Sequence, residues 1–230
     1  MADIADICVL VGTGPSLGAG LAWKFAREGC RMALVSRNAD ALALLESQLR
    51  AEGLDATAFP ADAADPASVA ACFADIRDRL GDPAILLYNA AIVEPQTLAD
   101  ADFDYVMRCF GANAGGALLC AQQVIPAMRR AGRGSILFSG GVLAFEPIHG
   151  WGVTAMGKAA LRNMALVLDQ ELRRDGIHVA SVAIHGGIQV DPFYAPDRIA
   201  ETFWHLHQQQ PASAFEREVH FKRQDQGETV

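Results

Sequence analysis

The chain has 230 residues, 51% hydrophobic and only 20% charged, which excludes global disorder and supplies one sizeable core, able to bury roughly 70% of the surface that the unfolded chain exposes. Its 19 basic and 27 acidic residues sum to −8, which argues against nucleic acid or anionic lipid as partners, because both need clustered Lys and Arg. No apolar run approaches the ~18 residues of a membrane helix. The acidic start Met-Ala-Asp-Ile-Ala-Asp lacks the basic region of a secretory signal. Cys8, Cys30, Cys72, Cys109 and Cys120 are scattered with no C-x-x-C, which speaks against a disulfide framework or a metal cage and for a reducing cytoplasm.

An apolar run at 7–11 ends at a glycine cluster and reads as a first strand, with Leu21 and Phe25 next on a helical face. Residues 32–35 make a second strand, and Leu42, Leu45 and Leu49 a helical stripe. A weaker third strand, 56–59, closes at Pro60. Asp65-Pro66 is a helix start, since Asp caps and Pro suits the first helical position. Val69, Phe73, Ile76 and Leu80 then form one apolar stripe. A fourth strand at 85–88 precedes a less regular helical stretch at 97–110. Residues 136–138 make a fifth strand, followed by a stripe of Leu161, Ala165, Leu168 and Leu172. A sixth strand spans 177–184, a short stripe carries Ile199, Phe203 and Leu206, and 218–221 suits a seventh strand. The polar tail 222–230 is expected to fray. Strand runs with little polar alternation suit burial on both faces. Their alternation with helices predicts one α/β domain over 1–230, a doubly wound, mostly parallel sheet of about seven strands with helices on both faces, a Rossmann fold.

The segment Thr13-Gly14-Pro15-Ser16-Leu17-Gly18-Ala19-Gly20 lies between the first strand and its helix. Glycines there let the backbone approach a pyrophosphate, and the helix N-terminus offers unpaired N–H groups and partial positive charge. A tight turn with nothing bound is the plainer alternative, but the strand-before, helix-after context favours a nucleotide. Its T-G-x-x-x-G-x-G spacing resembles that of the short-chain dehydrogenase/reductase family. More of the chain resembles that family in order: Tyr88-Asn89-Ala90-Ala91 at the end of the fourth strand, Asn113 early in a helix, Lys158 in Gly157-Lys158-Ala159, and Gly186 and Ile188 in the loop after the sixth strand. The resemblance spans residues 5 to about 190. It implies a nicotinamide cofactor held by Gly14, Ser16, Leu17, Gly18, Gly20, Asp62, Ala63, Asn89, Ala90, Ala91, Lys158, Gly186 and Ile188.

Dinucleotide folds read the adenosine ribose after the second strand, with an acid for NAD and a base for NADP. Here that position is Ser36-Arg37. A guanidinium fork matches phosphate geometry, so NADP(H) is favoured over NAD(H). The alternative is a merely solvated arginine.

The resemblance assigns catalysis to an asparagine, a serine, a tyrosine and a lysine. Asn113 and Lys158 match, but Thr154 stands four residues before Lys158 where the family has tyrosine. Counting back from Lys158 puts the family serine at Gly141, two residues beyond Ser139, which can stand in if the strand continues. His149 is the nearest imidazole in sequence, and His185 replaces a family proline. The segment 189–195 is short for a substrate lid; Phe193 and Tyr194 either wall a pocket or anchor the next helix. Three readings follow. The first is an oxidoreductase transferring hydride to or from a small carbonyl or alcohol, with Lys158, Asn113, Ser139 and Thr154 at the site and an atypical proton relay. The second is a cofactor-binding sensor or assembly partner without catalysis. The third, a methyltransferase, is disfavoured by the missing acid after the second strand. The resemblance also implies a homodimer or homotetramer.

Overall fold

A computed structural model describes residues 5–223. The seven strands are β1 (Ile7–Val11), β2 (Arg31–Ser36), β3 (Ala56–Pro60), β4 (Ile85–Tyr88), β5 (Gly134–Ser139), β6 (Ile177–Ile184) and β7 (Glu218–Phe221). They form one sheet in the order β3-β2-β1-β4-β5-β6-β7. Every neighbouring pair is parallel, so the sheet is wholly rather than mostly parallel. The cause is connectivity: each pair of consecutive strands is joined through helix, and such crossovers return the chain in the same direction.

Side chains alternate across β1. Val9 and Val11 join the core beneath α3 (Pro66–Arg79), α5 (Gly116–Ala131) and α6 (Gly152–Leu172). Cys8 and Leu10 join the core beneath α1 (Leu17–Arg27), α2 (Ala39–Ala51) and α7 (Pro196–Gln208). The predicted stripes supply those cores: Val69, Phe73 and Ile76 on one face, Leu42, Leu45 and Leu49 on the other. Local chemistry sets the helix starts. The Asp65 carboxylate accepts from Ala67 N and Ser68 N ahead of α3, and Asn38 Oδ1 accepts from Ala41 N ahead of α2.

The stretch 97–110 is not one helix. A single turn, Leu98–Asp100, is followed by α4 (Phe103–Phe110), which starts where Asp102 Oδ1 accepts from Tyr105 N. α4 then runs through a wide π-type turn, Gly111–Gly115, straight into α5. The expected fraying does not begin at 222. Arg223 pairs with Asp191 through contacts of 2.7 and 2.9 Å; residues 224–230 lie outside the described residues.

Parallel register brings the strand ends to one edge: Val11 stands opposite Val35 and Tyr88, and Val35 opposite Phe59. β1 is followed outward by β2 on one side and β4 on the other, so the chain direction across the sheet reverses there. Such a switch point leaves a crevice beyond the strand ends.

Candidate active site

That crevice is a cleft of about 730 Å³, walled by Gly12–Gly14, Ser36–Asn38, Ala61–Ala64 and Asn89–Ile92. Gly12 has φ +95°, and a Cβ there would collide with the backbone of Ala90. Only glycine lets the turn pass so close to the exit of β4. Asn89 Nδ2 donates to Gly12 O at 2.8 Å and ties the two exits together. Gly14 behaves differently: nothing lies within 4 Å of where its Cβ would be. Its missing side chain opens the cleft instead of relieving a clash. Beside it the Thr13 hydroxyl is buried without a partner. Arg37 makes no ion pair among the described residues, and Asp62 is held in place by accepting from Ala64 N at 2.9 Å. An open glycine, an orphaned buried hydroxyl and an unpaired guanidinium suit a phosphorylated dinucleotide.

The cleft gathers Gly14, Ser36, Arg37, Asp62, Ala63, Asn89, Ala90 and Ala91 from the expected set. The others lie elsewhere. Ser16 heads α1 without a side-chain cap bond, and the Leu17 side chain is in the core, which leaves Leu17 only its backbone for the turn. Gly18 packs against Gly12 O and shapes the turn. Gly20 corrects the expectation: a Cβ there would meet Pro196 Cβ at 2.7 Å, so it serves the packing of α1 on α7. Gly186 lies beneath the Tyr194 ring, and Ile188 packs partly on the core. Tyr194 is buried, and Phe193 and Tyr194 pack on Phe221, so both anchor the segment leading into α7.

Further along the same edge stands a second group. The half-buried Lys158 on α6 donates from Nζ to Ser139 O at 2.7 Å, and burial pushes its ammonium down to about 8. The Ser139 hydroxyl is buried without a partner. β5 ends at Ser139, and Gly140 N turns back to Phe138 O. The strand therefore does not continue to Gly141, and strand alternation does not relate the two positions. Thr154 is 2% exposed, with Oγ1 3.4 Å from Glu94 O. A second tie, Gln96 N to Gly150 O at 2.6 Å, holds the same segment against the start of α6. His149 is exposed in the turn before α6.

Asn113 sits in the π-type turn, mid-way along a continuous helical run, rather than early in a helix. Two bonds tie its side chain to one residue: Oδ1 accepts from Ile92 N at 2.6 Å and Nδ2 donates to Ile92 O at 3.0 Å. Asn113 thus acts as a positioning residue, through Ile92 in the cleft wall. Gly157 permits this, because a Cβ there would lie 2.8 Å from Asn113 Cβ.

The family profile described as short chain dehydrogenase matches residues 6–191. The chain belongs to the short-chain dehydrogenase family. It is 28% identical over 198 residues to a short-chain type dehydrogenase/reductase of Picea abies, covering 82% of this chain and 73% of that one. It is 29% identical to a sorbitol dehydrogenase of Cereibacter sphaeroides, covering 76% and 68%. A metagenomic short-chain oxidoreductase in complex with NADP superposes with a TM-score of 0.85 at 24% identity, over 93% of this chain and 95% of that one, a likeness of fold.

For a short-chain dehydrogenase, three features of the site escape motif reading. Arg108 on α4 lines the cleft although it is remote from every cofactor motif. Glu94 and Gln96 hold the start of α6, as above. Beside the loop after β6, His185 Nε2 lies 2.8 Å from His220 Nδ1, and Glu218 receives a bidentate Arg162 at 2.5 and 3.1 Å. Only contacts across the fold make these residues neighbours, so no local pattern flags them.

Proposed function

We propose that the protein is an NADP(H)-dependent oxidoreductase acting on a small carbonyl or alcohol in a reducing cytoplasm. The observation that carries this reading is the continuity of the cleft, with Arg37 at one end and Ile92, pinned by Asn113, at the other. The nicotinamide, when bound, supplies or accepts the hydride. Gly14 and the start of α1 take the pyrophosphate, and Ser36 and Arg37 take the phosphorylated ribose. Family membership supports nicotinamide chemistry on small molecules; the choice of NADP(H) rests on Arg37 and on the absence of an acid after β2.

No phenol precedes Lys158 on α6, so the proton is assigned to other groups. An ammonium near 8 gives up and regains a proton at neutral pH. Lys158, acting through water, is the proton donor for the nascent alkoxide. The orphaned Ser139 hydroxyl polarises the substrate oxygen, and Thr154 packs the wall. Phe103 and Met107 leave an apolar stripe exposed on α4, which suits pairing of two copies in a homodimer or homotetramer.

A second reading, cofactor binding without turnover, is favoured by the burial of Thr154. Titration with NADPH and NADH, followed by nicotinamide fluorescence, and then turnover on a carbonyl and alcohol panel separate the two. Preferred NADPH with turnover lost in Lys158→Met supports the proposal. Tight NADPH without turnover on any member favours the second reading, and no binding near millimolar concentration refutes both.

A further inference from the structure

Arg108 has no place in the motifs that build the cofactor reading, yet it lines the cleft. At Gly116 the helix passes tightly over the sheet, where a Cβ would meet Ala63 O and the Tyr88 hydroxyl. About one turn earlier, Gly111 stands over Ala64, with its Cβ position 3.7 Å from Ala64 Cβ. Arg108 is nearly another turn earlier on α4 and still lines the cleft. β3 neighbours β2, and Arg37 follows the end of β2. Arg37 and Arg108 thus line the same cleft from separate elements, the loop after β2 and α4.

Arg108 is also held and uncompensated. Its guanidinium lies 5.2 Å from the centroid of the Tyr105 ring, whose hydroxyl donates to Glu94 Oε2 at 3.1 Å. Among the described residues neither Arg37 nor Arg108 pairs with a carboxylate, although the chain carries 27 acids. Most of its other arginines do find one. Two cations on separate elements, unpaired among the described residues and lining one cleft, are left for an anion from outside the chain.

We infer that Arg108 joins Arg37 in seating the 2′-phosphate of the adenosine ribose and so sets the preference for NADP(H). This deepens the function proposed above and rests on it. The phosphate replaces solvent around both guanidiniums, and NADH, lacking that group, gains nothing from Arg108.

The test is binding, not turnover. NADPH and NADH are titrated against wild type, Arg108→Gln, Arg37→Gln and the double variant, with 2′,5′-ADP and 5′-AMP as competitors and thermal melts as folding controls. Arg108→Gln weakens NADPH and 2′,5′-ADP roughly tenfold, the worth of one charge-assisted hydrogen bond. NADH and 5′-AMP change less than about twofold, and the salt dependence of NADPH binding becomes shallower. An equal loss for both nucleotides, or none, in folded Arg108→Gln overturns the inference while leaving the cofactor reading intact. Wild type that binds neither nucleotide, or NADH alone, defeats the cofactor reading itself, and with it this one.

Discussion

Replacing Gly157 by alanine tests whether Asn113 is held by close helix packing. In an ordinary helix interior, Gly→Ala stabilises by about 0.5–1 kcal/mol, because alanine loses less backbone entropy. At Gly157 the new Cβ would stand 2.8 Å from Asn113 Cβ and 2.9 Å from Asn113 Nδ2. Neither atom is the free end of a flexible chain, since both bonds of the amide are committed to Ile92. Overpacking of this kind costs ~1–3 kcal/mol, and displacing two buried hydrogen bonds adds about 1 kcal/mol each. The net effect is a loss of ~2–4.5 kcal/mol, or roughly 4–18 °C in Tm for a domain of this size. Gly115→Ala is the control. Gly115 has φ −59° and ψ −47°, and its nearest neighbour outside the adjoining turn is Phe110 O at 3.9 Å. There the helix gain is unopposed, and Tm rises. Differential scanning calorimetry reads both variants, and NADPH titration of Gly157→Ala reads the displaced Ile92 as weaker binding. A Gly157→Ala protein that melts at or above wild type refutes the account of Asn113.

Two further predictions concern protons. Burial holds the Lys158 ammonium down to about 8, against about 10.4 in an unfolded chain. Between those values the unfolded state binds more protons, so this group makes the fold more stable as pH rises through the window. Urea midpoints should show that increment in wild type and not in Lys158→Met, and parallel profiles would count against burial of the ammonium. His185 is likewise held below its ordinary value, first by burial, then by His220 and Lys222, with Glu146 opposing. The unfolded chain therefore takes up protons first as pH falls below ~6.5. Acid should weaken the His185–His220 contact, although Glu218, shared with Arg162, still faces His220. The midpoint should fall less between pH ~7 and ~5 in His220→Gln than in wild type, and superimposable curves would exclude a role for the pair.

The fold was legible because its signals are local. The apolar runs become buried strands, the stripes at helical spacing face the two cores, and Asp65-Pro66 starts α3 through carboxylate contacts made within three residues. Misreadings fell where local signals compete. Asp102 captures Tyr105 N and restarts the helix, breaking the 97–110 stretch, and the polar end at 222–223 is held by Asp191 from another segment.

The candidate site divides along the same line. The glycine turn and Ser36-Arg37 could be named from the sequence because each follows a strand end, while Asn89 and Lys158 were named through the family resemblance. What each does was decided by tertiary packing. Gly14 opens space while Gly20 seats a helix, Asn113 is consumed by Ile92, and the Ser139 hydroxyl is left without a partner. Arg108 lines the cleft through the placement of α4, which no local pattern announces. Periodicity and capping act over a few residues and are written in the chain. Vacant volume, unpaired charge and unsatisfied hydrogen bonds depend on what distant segments bring alongside, and those exist only once the chain has folded.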